Sequence, residues 1–389
     1  MTPGEAASPR GIDPGAWYRG RMIARLLGIL FTTLVGCTAH AQPAPWQAYR
    51  GLSTIDIPYA NGPIARERVP QVWLKLRGAE PVRFGMDTGS TGIVVAEQHF
   101  LPGPGDISEG PGRLTYNSSG RVLVGERWRT DVEIRRDART PLATARVQVL
   151  RVSHIECLER ARDCRPERQP RGVAFMGIGF DRDGAQGTEP GVPRNPFVGL
   201  ASLASGAPPS TVRPGYIVTR EGVSLGMTPD RTRHMAFIKL APHPGARPGL
   251  PDWSAVPATV SVDGAAGRAE GAGTVLVDTG IASMFLSPPA AARLERGHRP
   301  PDGTRISVFL PDRRDPPPAF YGFTVGRRDS AMHPEHVEVV HDRGVFVNTG
   351  RMFLEGFDYL YDAAGGYAGF GWNGRLSAQH GGVTPGLAR

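Results

Sequence analysis

Short segments of alternating or continuous apolar residues, separated by turn residues, recur along the chain from about residue 46. Residues 71–76 and 81–86 flank a turn at 77–80, and this arrangement predicts a β-hairpin. A helix is predicted over 287–296, where Ser287 offers a cap and Pro288 follows it. The pattern as a whole predicts a mainly β fold. Further strands are predicted at 121–124, 130–134, 145–152, 216–219, 236–240, 259–262, 305–310, 337–340 and 357–361.

The composition agrees with a strand-and-turn protein. The chain has 389 residues, with 51 glycines and 37 prolines, and 40% of its residues are hydrophobic while 21% are charged. These values favour a folded globular protein over a disordered one. No apolar run approaches the roughly 20 residues that span a bilayer, which excludes a multi-pass membrane protein.

The positive charge is carried almost entirely by arginine. Lysine and arginine total 45 against 37 acidic residues, for a net charge of +8, and Lys75 and Lys239 are the two lysines. The arginines are scattered, for example over residues 113–139, whereas a nucleic-acid-binding protein gathers its cations on one stripe or helix. We therefore expect no nucleic-acid partner.

Residues 1–41 have the layout of an export signal with an upstream extension. Residues 26–35 form an apolar stretch that Arg21 and Arg25 precede, and the small residues Ala39 and Ala41 follow it. This order of basic, apolar and small residues is typical of a secretory signal. The protein is therefore expected outside the cytoplasm, in the periplasm or the extracellular space.

A second way of processing this segment stays open. Residues 34–37 end in Cys37 and are similar to a bacterial lipobox, in which the cysteine becomes a lipidated N-terminus. Lipidation at Cys37 would associate the protein with a membrane. The other two cysteines, Cys157 and Cys164, are seven residues apart, and in an exported chain such a pair predicts a small disulfide loop.

Two segments of the mature chain are near copies of each other. Residues 84–95 and 275–286 each have an apolar strand, an Asp-Thr-Gly sequence and a second apolar strand. Each is followed later by an apolar segment that contains glycine, at 174–180 and 345–350. A chance pair of Asp-Thr-Gly sequences in matching contexts is improbable, which indicates an internal repeat. Two unrelated Asx-type turns are the alternative interpretation.

The small residues of these loops suit a close approach of one loop to the other. Gly89 and Gly280 permit a tight turn and leave room for a partner loop. Thr88 and Thr279 carry hydroxyls that can bond to the backbone of the opposite loop.

Such an approach would place Asp87 beside Asp278. Two carboxyl groups in contact cannot both ionise, so the pair keeps one proton and titrates as a unit. The ionised carboxylate can accept a proton from water while the protonated carboxyl polarises a carbonyl group. The pair is therefore suited to general acid–base hydrolysis with no metal ion and no cofactor.

Over most of residues 46–376 the chain resembles the pepsin-like aspartic proteases. The resemblance implies two related β-lobes with an active-site cleft between them, an N-terminal lobe at 42–222 carrying Asp87 and a C-terminal lobe at 223–376 carrying Asp278. It implies an aspartic endopeptidase with polypeptide substrates and Asp87 and Asp278 as the catalytic pair. We expect a monomer, because one chain holds both loops. Residues 377–389 are expected to form a disordered tail.

The resemblance also assigns supporting roles, and the sequence departs from the family at three places. Ser90 would orient Asp87, and Tyr116 would close over the substrate from a flap-like hairpin at 114–125. Tyr116 follows Asp87 by 29 residues, closer than is usual in the family. Ile281 stands where a hydroxyl would bond to Asp278. Asn348 makes an apolar segment polar, and we expect it to affect mainly packing.

These departures leave alternatives open. A pepsin-like module that binds peptides or envelope components without cleaving them is the main one, and Ile281 is its chief support. Residues 222–226 match a Gly-x-Ser-x-Gly nucleophile motif but lack the surrounding α/β pattern. His333, His336 and His341 could suggest a metal site, and we expect them to form a surface group instead.

Overall fold

The computed structural model describes residues 44–116, 119–159, 161, 164–181, 194–246, 252–341 and 344–388. The export signal predicted at 1–41, with Cys37, lies outside the described residues. Strands hold 46% of the described residues and helices 7%, which confirms the prediction of a mainly β protein. Residues Pro43–Arg389 form one compact unit. No helix among the described residues has the length and apolarity that a membrane crossing requires.

The strands are numbered in chain order. They are β1 Ile55–Pro58, β2 Gln71–Leu76, β3 Val82–Asp87, β4 Thr91–Ala96, β5 Ile107–Tyr116, β6 Arg121–Arg135, β7 Pro141–Cys157, β8 Glu167–Arg168, β9 Ala174–Ile178, β10 Leu200–Leu203, β11 Gly215–Val218, β12 Gly222–Leu225, β13 Ala236–Lys239, β14 Val256–Gly264, β15 Gly267–Leu276, β16 Met284–Ser287, β17 Arg305–Leu310, β18 Ala319–Thr324, β19 Val337–Val339, β20 Phe346–Asn348, β21 Phe357–Asp362, β22 Tyr367–Trp372, β23 Gly381–Val383 and β24 Gly386–Ala388.

The helices are short. One α-helix spans Pro229–Thr232, and the 3₁₀ helices are Pro45–Tyr49, Glu97–His99, Pro209–Thr211, Ala290–Ala292 and Arg351–Glu355. The helix predicted over 287–296 is wrong. Pairing with β20 keeps Ser287 extended in β16, Pro289 is also extended, and Arg293 has a left-handed φ of 51° that ends the single 3₁₀ turn.

Three sheets contain these strands. The nine-stranded sheet has the order β10-β7-β4-β9-β3-β2-β6-β5, with β8 beside β7. The eight-stranded sheet has the order β19-β16-β20-β15-β14-β17-β18-β23. The seven-stranded sheet, β1-β12-β11-β21-β22-β13-β24, joins strands from both halves of the chain. The predicted lobe boundary after residue 222 falls within β12, and the division into two lobes stays a prediction.

The two larger sheets repeat one arrangement. The series β7-β4-β9-β3-β2-β6-β5 and the series β19-β16-β20-β15-β14-β17-β18 have six successive pairings with the same directions, parallel, antiparallel, parallel and then three antiparallel. The chain order differs at the outer hairpin, because β5 precedes β6 at the edge whereas β17 precedes β18. The internal repeat indicated by the sequence therefore extends through the sheets.

The hydrophobic core draws on all three sheets. One buried cluster includes Leu74 of β2, Val260 of β14 and Tyr216 of β11. Burial alternates along β2, as expected for a strand with one face on the core, whereas every residue of β11 is buried. The core thus fixes the two repeated sheets, and the loops they carry, within one packed unit.

The expected disordered tail is partly ordered. Within 377–388, β23 pairs with β18 and β24 pairs with β13. His380, directly before β23, is buried with 8% of its surface exposed. These contacts provide backbone partners and burial that an analysis of composition alone does not anticipate.

Candidate active site

Each Asp-Thr-Gly loop connects two strands that are separated by a third. The loop after β3 leads into β4, and β9 lies between these two strands, parallel to β3 and antiparallel to β4. The loop after β15 leads into β16, with β20 in the same position. A loop that crosses over an inserted strand is held from both sides, so its aspartate projects from a rigid base.

The two threonines join the loops through reciprocal hydrogen bonds. The backbone N–H of Thr88 donates to the hydroxyl of Thr279 at 3.0 Å, and the N–H of Thr279 donates to the hydroxyl of Thr88 at 2.9 Å. Each hydroxyl also donates onward, from Thr88 to the carbonyl of Val277 and from Thr279 to that of Met86, at 2.7 and 2.8 Å. Both threonines are at most 2% exposed, so these polar groups are satisfied without water.

The glycines bring each carboxyl group against the opposite loop. A Cβ built on Gly89 would lie 2.5 Å from the Oδ2 atom of Asp278, and one on Gly280 would lie 2.8 Å from the Oδ1 atom of Asp87. These separations are too short for a side chain, so glycine is required by close approach at both positions. The structure therefore brings Asp87, Asp278 and their flanking residues together, as the sequence analysis expects.

The two carboxylates have matching backbone hydrogen-bond donors, and they differ in the residue that provides the side-chain donor. The N–H of Gly89 donates to the Oδ1 atom of Asp87 at 2.7 Å, and that of Gly280 donates to the Oδ1 atom of Asp278 at 2.8 Å. The hydroxyl of Ser90 donates to the Oδ2 atom of Asp87 at 2.6 Å. Ser90 thus has the orienting position that the sequence analysis gives it.

Asn348 provides the corresponding donor for Asp278. Its Nδ2 group donates to the Oδ2 atom of Asp278 at 2.6 Å, and its Oδ1 atom accepts the N–H of Gly350 at 3.0 Å. The bond to Gly350 fixes the orientation of the amide, so the N–H side faces the carboxylate. The expectation that Asn348 affects mainly packing is wrong, and the missing hydroxyl at Ile281 is replaced from another strand.

Arg351 is a second residue that the sequence analysis missed. Arg351 is 6% exposed, and its guanidinium donates to the carbonyl oxygens of Ala65, Arg66 and Thr279. Its backbone N–H donates to the carbonyl oxygen of Ile281 at 2.8 Å. Arg351 therefore holds the second loop to the segment before β2, and its position directly after the repeated apolar segment was an available signal.

The environment of Asp278 favours its protonated form. Asp278 is 8% exposed. Burial raises the pKa of Asp278 well above its usual range, and the negative charge of Asp87 raises it further, while the hydrogen bonds from Asn348 and Gly280 oppose this shift. Asp87 is more exposed than Asp278. Burial and the neighbouring charge therefore make Asp278 a carboxyl group whose surroundings favour the protonated form.

This pKa shift predicts a pH-dependent gain of stability in Asp278→Asn. A raised pKa in the folded state stabilises the protein fully below the unfolded pKa, about 4 for aspartate, and this contribution is lost as the pH rises through the folded pKa. Asparagine does not ionise, so the variant does not lose stability in this way. The difference between its free energy of unfolding and that of the wild type should therefore grow above about pH 4, by at most about 1.4 kcal/mol per pH unit. Urea unfolding at several pH values measures the difference. A constant difference across this range would contradict the shift.

Tyr116 lies at the tip of the hairpin formed by β5 and β6, where it pairs with Arg121. Burial and the charge of Asp87 raise the pKa of Tyr116 above its usual value, while a side-chain hydrogen bond with Ser90 lowers it. The hairpin thus places Tyr116 beside Ser90 and close enough to Asp87 for its charge to act. The short spacing between Asp87 and Tyr116 does not prevent this contact.

The predicted cysteine pair lies beside the tip of the same hairpin. The sulfur atoms of Cys157 and Cys164 are 2.01 Å apart, which is a disulfide distance and compatible with the predicted bond. Cys157 pairs with Arg121 at the end of β7, and Cys164 packs against the apolar cluster that Tyr116 also contacts. The link therefore lies beside the tip of the Tyr116 hairpin.

The competing motifs do not assemble as their chemistry requires. Ser224 donates to the carboxylate of Asp56 at 2.6 Å and accepts from Arg231, so its described partners do not include the histidine of a nucleophile motif. His333 is 5% exposed, which contradicts the expectation of a surface group with His336 and His341. Its described neighbours are Asp329 and His380.

A scan against protein-family models and a search of curated proteins find no match to this chain.

Proposed function

We propose that the protein is an exported aspartic-type endopeptidase with a pepsin-like fold, in which the repeated sheets form two lobes and a polypeptide binds in the cleft between them. The observation that carries this proposal is the joining of the two Asp-Thr-Gly loops by the reciprocal bonds of Thr88 and Thr279. Those bonds hold Asp87 and Asp278 against the facing loops. Export and membrane association through Cys37 are part of the proposal and depend on residues before Pro43.

The chemistry follows from one proton shared by the pair. Asp87, as the ionised carboxylate, accepts a proton from a water molecule whose oxygen attacks the peptide carbonyl carbon. Asp278 donates its proton to the carbonyl oxygen, which gives a tetrahedral diol. The diol then collapses as the C–N bond breaks, one of its hydroxyl protons returns to Asp278, and the proton held by Asp87 passes to the leaving nitrogen. Both carboxyl groups regain their starting states, and no covalent intermediate forms.

The neighbouring residues support this cycle. Ser90 and Asn348 each donate to an Oδ2 atom, which orients the two carboxyl planes. Tyr116 would cover the bound substrate from its hairpin. An extended polypeptide fits the proposal, because the edges of β-hairpins offer backbone donors and acceptors to such a chain.

The test is cleavage of a mixed peptide library by residues 43–389, scanned from about pH 3 to about pH 7, the range in which a carboxyl pair with one proton changes state. The expected result is cleavage with an acidic pH optimum. The cleavage rate should fall in the presence of an inhibitor that carries a secondary alcohol in place of the scissile peptide bond. If a folded protein cleaves no peptide in this range, the non-catalytic binding module becomes the better interpretation. The donor supplied by Asn348 removes the main argument for that module, which was the isoleucine at 281.

The role of Asn348 predicts a change in the pH profile. Because its amide favours the charged form of Asp278, Asn348→Ala should move the alkaline limb of the activity profile to higher pH by about one unit. A serine introduced as Ile281→Ser in the same variant should restore the limb, since it returns a donor at the place that Ser90 occupies in the first loop. The measurement is kcat/KM against pH.

Asn373→Ala is the control for this prediction, because the Asn373 amide donates to the carbonyl of Glu355 and not to the pair. An unchanged alkaline limb in Asn348→Ala would show that the amide has no part in setting the protonation of Asp278.

A further inference from the structure

Asp329, His333 and His380 form a group of three potential metal ligands away from the carboxylate pair. Asp329 and His333 lie in the connection between β18 and β19, and His380 directly precedes β23. The Oδ1 atom of Asp329 is 3.2 Å from the Nε2 atom of His333 and 3.8 Å from that of His380. All three ligand atoms lie within 4.8 Å of one another. Two parts of the chain that are separated in sequence by four strands, β19 to β22, thus meet through side chains that can bind a metal ion.

The orientation of His333 directs an unused nitrogen into this group. Its Nδ1 atom faces the carbonyl oxygen of Arg327, which can only accept, so Nδ1 carries the proton and donates. The Nε2 atom is then free to offer a lone pair. It is buried and has no hydrogen-bond partner among the described residues. A backbone carbonyl that holds one ring nitrogen while the other points to a ligand is typical of histidines that bind metal ions.

His380 is the third potential ligand of the group. It is 8% exposed, and its ring lies edge-on to that of His333 at 5.7 Å between centroids. Its Nε2 atom is 2.9 Å from the amide nitrogen of Gln379, whose side chain is exposed and would have to turn away for an ion to bind. Asp329 is exposed and contributes the negative charge that two neutral imidazoles lack.

We propose that Asp329, His333 and His380 bind Zn²⁺ or a similar first-row divalent cation. Two imidazoles and a carboxylate are a donor set that such ions prefer. In a tetrahedral zinc site with bond lengths near 2.0 Å, ligand atoms are separated by about 3.3 Å, so small side-chain adjustments bring the three atoms into place. The fourth position is left for water.

The surroundings give the ion a route to the site. Asp329 and His333 line a surface cavity of about 770 Å³, and neither Asp87 nor Asp278 lines it. The ion would therefore act outside the proposed catalytic site. It would link the connection before β19 to the segment before β23, and so fix the start of β23 at its edge of the eight-stranded sheet.

The test uses tag-free residues 43–389, freed of metal with a chelator and titrated with Co²⁺ and then with Zn²⁺. The expected result is a saturable visible absorption typical of tetrahedral cobalt, at one equivalent per chain, which Zn²⁺ abolishes. Saturating Zn²⁺ should also raise the midpoint of thermal unfolding by roughly 5 °C. Asp329→Asn and His380→Asn should lose both effects, whereas His336→Asn should keep them, since His336 is exposed and outside the group.

The proposal fails if the wild type gives no saturable cobalt absorption, the result expected of a metal-free ion pair between Asp329 and a protonated His333. It also fails if Asp329→Asn binds as the wild type does, or if His336→Asn loses binding equally. Should His380→Asn not fold, Asp329→Asn decides, because its exposed side chain can be changed without disturbing the core.

Discussion

Asp87→Asn is expected to lower kcat/KM for peptide cleavage on the order of 10³- to 10⁴-fold while the protein stays folded. The amide of asparagine cannot accept the proton of the attacking water, so the step that forms the nucleophile is lost. The replacement keeps the size of the side chain and can retain the bonds to Gly89 and Ser90, and for this reason little change in stability should accompany the loss.

The matched control for this prediction is Asp230→Asn. Asp230 is an exposed carboxylate whose side chain is 86% accessible, and it forms a surface ion pair with Arg233. It should have activity equal to that of the wild type. Activity in Asp87→Asn within a few-fold of this control would exclude Asp87 as the base.

Gly89→Ala should damage both stability and activity. The added methyl group would lie 2.5 Å from the carboxyl group of Asp278, inside van der Waals contact, so the two loops must separate. Overpacking of this kind costs about 1–3 kcal/mol of the free energy of unfolding. A displacement of the pair by a fraction of an ångström to one ångström lowers the rate by about 10²-fold. Chemical denaturation and kcat/KM on one peptide measure the two effects.

Gly172→Ala separates this steric effect from a general effect of replacing glycine. A Cβ at Gly172 meets no atom within 4 Å, so this variant should match the wild type in stability and activity. If Gly89→Ala behaves like Gly172→Ala, the loops do not approach each other as closely as the structure indicates.

The sequence indicates the two aspartates because the information is local. The Asp-Thr-Gly copies and their flanking apolar strands lie within short segments, and the same is true of Ser90, which is three residues from the carboxylate it contacts. The mainly β class is likewise readable from short apolar segments between turns. These features need no knowledge of which distant strands pair.

The contact of Asn348 with Asp278 depends on strand pairing that a local sequence pattern does not reveal. Asn348 is separated from Asp278 by 70 residues and reaches it because β20 pairs with β15, with Asn348 opposite Leu276. The equivalent position in the first sheet is Phe175, opposite Gly85. A polar residue at that register is significant only when the pairing is known. Sequence reasoning therefore identified the lost hydroxyl at Ile281 but not its replacement.

The failed helix and the partly ordered tail have a related cause. A cap, a proline and several alanines favour a helix at 287–296, but pairing of Ser287 in β16 outweighs that preference. Composition favours disorder after residue 377, yet β23 finds a partner in β18. In both places tertiary pairing decides the structure, and a single sequence does not reveal it.

In the proposed mechanism Asp87 and Asp278 share one proton. Carbon NMR of protein labelled at the aspartate carboxyl carbons measures this most directly. A shared proton predicts one carboxyl resonance that titrates far above the usual range of aspartate, disappears in Asp278→Asn and shifts to lower pH in Asp87→Asn. Asp358→Asn identifies the other raised signal, because burial and Glu221 raise the pKa of Asp358 to about 6. Ordinary titration of every aspartate other than Asp358 would exclude a shared proton.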